Sequence, residues 1–186
     1  MNESWIIKKE CKYYHPLVHV AAQKKAVADR EYGVKWIQEV LTPYAEEHYK
    51  GQEFILFMDN LDSQKSVEFT SEMKKIAGDF AYGPPNRTEA WQPIDCGHIG
   101  ATLKALGKQK FEDWMEKTAE GSELSNWQRW EQNILTKSGN IILVTWVFGD
   151  AWTEYIGPYY SNQRRSAFEK GGCAVTLNGT CRWKLN

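Results

Sequence analysis

Phe54-Ile55-Leu56-Phe57-Met58-Asp59-Asn60 is the stretch whose reading decides the fold. Five apolar residues in a row, too short for a helix and rich in β-favouring types, predict a strand buried on both faces, as in a parallel sheet core. The run ends on an acid. A carboxylate at the end of a buried strand sits where open α/β sheets place their ligands, with solvent on one side and rigid scaffold behind. Downstream, Gly83-Pro84-Pro85-Asn86-Arg87-Thr88 is dense in turn residues, and Gln92-Pro93-Ile94-Asp95 puts a second acid ahead of a helical pattern beginning near Gly97. Two such carboxylates could hold a divalent metal, because hard cations take oxygen ligands.

Working outward, Lys65 to Ala77 reads as a helix with Phe69, Met73 and Ile76 inward, and Asp79 to Tyr82 as a short strand. Upstream, His15-Pro16 signals a turn, and Leu17 to Ala22 is apolar and β-branched enough for a strand. Asp29 is a candidate N-cap for a helix with Val34, Ile37, Val40, Leu41 and Tyr44 on its buried side, which Pro43 would end or kink. Strand, helix, strand, helix, strand in order predicts an α/β class with a largely parallel core. From Ile99 a further helix is expected to about Lys117, with Ile99, Leu103 and Leu106 on one side and Phe111, Trp114 and Met115 continuing after Gly107. Lys104 and Lys108, one turn apart on it, are expected close to the acidic centre, where they could meet a phosphate backbone; an ordinary solvated face is the alternative.

Leu124 to Leu135 is amphipathic, with Trp127, Trp130, Ile134 and Leu135 as its apolar set. Asn140 to Phe148 has strand propensity, yet Ile141, Val144, Phe148, Trp152 and Tyr155 also fit helical spacing. The last residues, with Asn178-Gly179 as a turn, read as an irregular tail.

At 186 residues the chain can bury one good core, so one domain or part of one is the expectation. With 23 basic against 24 acidic residues there is no global positive field, and any DNA affinity must come from a local patch. Four cysteines without paired spacing, and no apolar run long enough for a signal peptide or a membrane span, lead us to expect a soluble intracellular protein. Cys11, His15 and His19 have the spacing of a helical zinc face, but Pro16 interrupts it and a fourth ligand is not evident. Cys173 and Cys181 read as free thiols. No glycine-rich phosphate loop and no local signature of a nucleophilic triad is present.

The pattern Met58-Asp59-Asn60, Gly83 through Gly97 with its Gln-Pro-hydrophobic-Asp ending, and Leu103-Lys104 resembles the DDE-superfamily transposases of the pogo/jerky branch. The 35 residues between Asp59 and Asp95 match the gap of that family's second and third acids. Ser166-Ala167-Phe168-Glu169-Lys170-Gly171 resembles the family's C-terminal Phe-x-x-x-Gly turn, and the resemblance favours helix over 140–148. It implies an RNase H-like fold, Asp59 and Asp95 as catalytic acids and ligands of Mg2+ or Mn2+, nucleic acid as partner with Arg87, Lys104 and Lys108 touching it, no membrane association, and a nuclear location.

Two departures from the family pattern stand out. The family's first acid lies on its first strand, many tens of residues before the second, whereas only 58 residues precede Asp59 here. They align best with the third strand and first helix, and Asp29 stands only 30 positions upstream. The family often has His five residues after the strand-end acid, where this chain has Gln64, which takes up no proton at neutral pH. Asp62 reads as a surface turn acid. The sequence therefore predicts an N-terminally truncated catalytic core: a partial RNase H-like α/β fold, a mixed sheet with flanking helices over residues 1–118, followed by a helical C-terminal extension over 119–186. Such a fragment is expected to bind metal weakly, to bind nucleic acid weakly and non-specifically, to be inactive alone, and to self-associate through an exposed sheet edge. The rival readings are a non-enzymatic nucleic-acid- or protein-binding module and a non-functional gene fragment.

Overall fold

The expected run at 54–58 does form a strand, β1 (Phe54–Met58), and it pairs in parallel with β2 (Gly78–Tyr82), in a register from Phe54 opposite Gly78 to Met58 opposite Tyr82. The structure, a computed structural model, describes residues 9–21, 29–76, 78–118 and 120–174. It divides into two compact units, Lys25–Ile99 with Gln163–Asn186, and Met1–Lys24 with Gly100–Asn162.

In the first unit Asp29 caps α1 (Arg30–Trp36), its carboxylate accepting from the Tyr32 amide at 2.9 Å. This satisfies one of the donors that a helix start leaves unpaired. A wide turn over Ile37–Leu41 follows, in which the Thr42 amide reaches back to the Ile37 carbonyl, and the chain continues as α2 (Thr42–Tyr49). Pro43 therefore does not end the helix. Proline has no amide hydrogen and crowds the carbonyl four residues earlier, and a turn widened to five-residue spacing lets the chain run past it. The same extra residue rotates the following turn, so that Tyr44, expected on the buried side, is exposed.

A 3-10 turn over Asp62–Lys65 leads into α3 (Val67–Met73), capped by the Ser66 hydroxyl accepting from the Phe69 amide at 3.2 Å. The expected helix from Lys65 is thus shorter, and its last position, Ala77, lies outside the described residues. Ile37, Leu41, Met58, Phe69 and Met73 form the core, with Trp36, Leu56, Ile76 and Phe80 packed against it. Two short helical turns, α4 (Thr88–Trp91) and α5 (Pro93–Cys96), complete the segment that follows β2.

The sheet differs from the expected mixed, doubly covered one. Among the described residues it has two strands, β1 and β2. Ile55 is 60% exposed, so the strand is not buried on both faces: Met58 enters the core, while on the opposite face Phe57 is half-buried and Ile55 is left to solvent.

The second unit is helical: α6 (Ile99–Met115, from Gly100 on), α7 (Asn126–Glu131) and α8 (Lys137–Ile156). Ser125 and Gln128 form a reciprocal capping box, and the Thr136 hydroxyl accepts from the Gly139 amide at 3.0 Å. The ambiguous run at 140–148 is helix. Of the set with helical spacing in the sequence, Tyr155 is buried while Ile141, Val144, Phe148 and Trp152 are exposed; the helix is held instead by Leu143, Ala151 and Tyr155 and, on a different side, by Thr145 and Gly149, which lie against His15. Of the stretch 124–135 only the short α7 is helix, and its apolar set does not form a buried side: Asn126 is buried, while Trp127, Trp130 and Ile134 are exposed. The strand expected at Leu17 to Ala22 is absent from 17–21, where the Val18 amide closes a turn on the His15 carbonyl at 3.0 Å; Ala22 lies outside the described residues. His15 is buried, its Nδ1 accepting from the Leu17 amide at 3.1 Å and its Nε2 lying 3.6 Å from Asp150, so it serves this turn and not a Cys11–His19 metal face.

The chain then returns to the first unit with α9 (Ser161–Lys170), which belongs to that unit from Gln163 on. No helix among the described residues is long and apolar enough to cross a membrane. Phe69 is 2% exposed at the centre of the core under β1. Its replacement by Ala is expected to cost about 3–5 kcal/mol, the range for removing a buried aromatic ring, read as a lowered urea midpoint at unchanged slope.

Candidate functional site

Asp59 is the first residue past β1. Its Oδ1 accepts from the Leu61 amide at 3.3 Å, so the carboxylate shapes its own turn. The Asn60 side-chain amide donates to the Gly83 carbonyl at 2.6 Å, and the Gly83 amide donates to the Met58 carbonyl at 3.3 Å. The ends of the two strands are thereby tied to each other on either side of Asp59.

Gly83 also explains how the Asp95 segment is held. A Cβ there would fall 1.6 Å from the Trp91 ring, so only glycine lets that buried indole lie against the strand end. Trp91 closes α4, and after Gln92 the chain turns directly into α5, which carries Asp95. The second acid therefore sits within a helical turn of its own and does not merely precede a helix. Pro93 fits its first position, where an amide hydrogen is not needed.

From behind, α9 clamps this turn. A Cβ on Gly97 would meet the Ala167 Cβ at 2.0 Å, and one on Gly171 would meet the Trp91 carbonyl at 2.2 Å. The Cys96 thiol donates to the Ala167 carbonyl and the Cys173 thiol to the Trp91 carbonyl, each at 3.8 Å. Burial raises both thiol pKa values above the ordinary range, so these cysteines are packing groups and poor nucleophiles. The expected packing role of the Phe-x-x-x-Gly turn is visible in Gly171.

A cavity of about 420 Å3 opens beside the end of β1. Its walls include Trp36, Leu56, Met58 and Phe69, and Asp29, Asp59, Gln64 and Gln92 add polar groups. Asp95 is exposed and does not line it, although it follows Gln92 by three residues. Asp29 is legible in the sequence only as a cap; it performs that role and also lines the cavity with Asp59. A signal for the second role exists in its place directly before a helix that packs on the strand. Gln64 lines the cavity with its Oε1 buried and without a hydrogen-bond partner among the described residues. Asp62 is exposed in its 3-10 turn.

Among the described residues no three His, Cys, Asp or Glu side chains are grouped as a metal ion would need. Arg87 is exposed ahead of α4 in the strand-bearing unit, and Lys104 and Lys108 are exposed on α6 in the helical unit. Lys108 pairs with Glu112 at 3.6 Å, which offsets its charge for any phosphate.

A parallel strand pair with an acid at the end of its first strand, and a second acid on a clamped turn after the second, is the frame the sequence resemblance implies. Residues 5–152 match the family model described as DDE superfamily endonuclease, and the chain belongs to that family. No curated protein and no solved structure matches the chain. The family as a class uses divalent metal and acts on nucleic acid.

Gly83→Ala is expected to lower stability by about 1–3 kcal/mol, because the added methyl must displace the Trp91 ring. A denaturant melt checks this, and the same substitution at Gly121, around which a Cβ would meet nothing within 4 Å, gives the comparison for strain from positive φ alone.

Proposed function

We propose that this chain is a transposase-derived domain of pogo/jerky type and RNase H-like ancestry that binds nucleic acid weakly with the help of a divalent cation. Acting alone, it does not cleave. One observation carries the reading: Asp59 ends the paired strand β1 and lines the adjoining cavity, while Asp95 rides on a turn fastened to that same strand end through Trp91 and Gly83. On this reading residues 1–118 are the catalytic-core part and 119–186 its helical extension, in a protein that works in the nucleus.

Asp59 and Asp95 would hold Mg2+ or Mn2+. When bound, such an ion polarises a phosphoryl oxygen and acidifies water. Two carboxylates leave most of an octahedral shell to water, so affinity is weak. Two adjacent ions would need further anionic oxygens to offset their repulsion, and Asp29, engaged in its cap, is the nearest additional acid in the cavity lining. Two-metal strand cleavage is therefore short of ligands in this chain alone. Arg87, Lys104 and Lys108 supply the cations for phosphate.

The alternative, a non-enzymatic binding module on the same fold, is favoured by the same two-carboxylate donor set. An open edge of β1 would, if left uncovered, pair with a strand of another copy.

Manganese binding followed by electron paramagnetic resonance is expected to be weak, and several-fold weaker in Asp59→Asn and in Asp95→Asn; unchanged binding in either variant removes that residue from the site. Duplex DNA binding by fluorescence anisotropy is expected to be non-specific, with a log–log salt slope of about −2 to −3 for three phosphate contacts. Nicking of labelled DNA with magnesium is expected to be undetectable. A monomer that nicks DNA and loses the activity in Asp59→Ala would show that another acid completes the site.

A further inference from the structure

Beside the end of β1 the cavity of about 420 Å3 has the size of a small-molecule site. Trp36, Leu56 and Phe69 give it apolar walls, and Gln64 and Gln92 bring side-chain amides to it. No basic side chain stands among its described lining residues, so it suits an uncharged heteroaromatic ring and not a phosphate.

Gln64 carries an unmet demand. Its backbone is held from both sides: the Tyr82 hydroxyl donates to its carbonyl at 2.6 Å, and its amide donates to the Leu61 carbonyl at 3.0 Å. From this fixed backbone the side chain lines the cavity and ends in a buried oxygen, Oε1, with no donor among the described residues. Buried polar atoms are nearly always paired, and an orphan is costly until something meets it. Rotation about the last bond of a glutamine side chain is soft, so the amide can turn Oε1 toward a group in the cavity that the same side chain lines. An amide offers an acceptor and two donors in one plane. That pattern complements the amine and neighbouring ring nitrogen of adenine, the pairing by which Gln reads this base.

We propose that this cavity takes a single unstacked adenine base, its exocyclic amine donating to Gln64 Oε1 and its ring lying against the apolar walls of Trp36 and Phe69. A single nucleic-acid strand and a free nucleoside present the same edge, and either can supply the base. The proposal rests on the nucleic-acid reading above only for the strand as source. A base on a single strand is also the one that costs least to unstack.

The test uses the full chain without metal, and ten-nucleotide thymidine single strands carrying at one central position adenine, purine without its amine, or no base. The phosphates are the same in all three, so the salt-dependent part of binding cancels. By fluorescence anisotropy the adenine strand is expected to bind about two- to tenfold more tightly than the purine strand, the worth of one hydrogen bond, and the abasic strand most weakly. Gln64→Leu replaces the orphan oxygen by methyl groups and is expected to fold at least as stably as the wild type. In that variant the adenine and purine strands become equal. Equal binding of the two by the wild type overturns the proposal, and so does a preference for adenine that survives in Gln64→Leu. If no strand binds, the nucleic-acid reading fails, and ligand-detected NMR with adenosine and purine nucleoside decides the cavity by itself. A preference for adenosine upholds the proposal with free nucleoside as the source; binding of neither, or of both alike, overturns it. Should Gln64→Leu not fold, photocrosslinking of 8-azidoadenosine to the wild type takes its place. Label within residues 32–36 or 56–64 is expected, and label only elsewhere overturns the proposal.

Discussion

The packing of Trp91 is the constraint on which the strand-bearing unit depends. Trp91 lays its buried indole against Gly83 at the end of β2 and closes the turn before Asp95, and its backbone carbonyl accepts from the Cys173 thiol and lies close against Gly171, just past α9. Its Nε1 is buried without a hydrogen-bond partner among the described residues. An unsatisfied buried donor costs about 1–3 kcal/mol, so the residue is present for its volume and not for its polarity. The glycines around it are obligatory for the same reason, since each stands where any side chain would occupy space already filled by the ring, its carbonyl or Ala167. Rigidity at the Asp95 turn is thus supplied by close packing together with local backbone hydrogen bonds of 2.9–3.1 Å, from the Asp95, Cys96, Gly97 and His98 amides.

Two strands are too few to make a sheet stable by itself. What holds β1 and β2 is the one-sided core of Ile37, Leu41, Met58, Phe69 and Met73, drawn from helices that cross a single face. The uncovered face explains the exposure of Ile55. Among the described residues no strand pairs with the other edge of β1, and the cavity opens beside that strand end, at Asp59.

Much of this is legible in the sequence, for identifiable reasons. β1, β2, the helix cap at Asp29, the long helix from Ile99 and the Phe69–Met73 packing are local features, fixed by runs of apolar residues and by caps that act within one turn. What the sequence misleads on depends on partners distant in the chain. Apolar character alone suggests a buried Ile55, but burial needs a covering layer. Leu17–Ala21 has strand composition and no strand to pair with, while His15 closes a turn beneath it. The general effect of Pro43 is to stop a helix, and the widened turn over Ile37–Leu41 cancels it. The exposed Trp127, Trp130 and Ile134 show the same limit, since an amphipathic pattern tells which side is apolar but not that anything covers it.

The placement of Asp29 carries the argument about the site furthest. Its carboxylate accepts from the Tyr32 amide, a cap that contributes about 1 kcal/mol, and the same side chain borders the cavity shared with Asp59. Capping ties this carboxylate to the first turn of α1. It fixes where that group can be. Releasing the cap would fray the first turn of a helix whose end, Trp36, walls the cavity. The cap at Asp29, the wall at Trp36 and the strand-end acid Asp59 are therefore coupled through one helix start and one cavity.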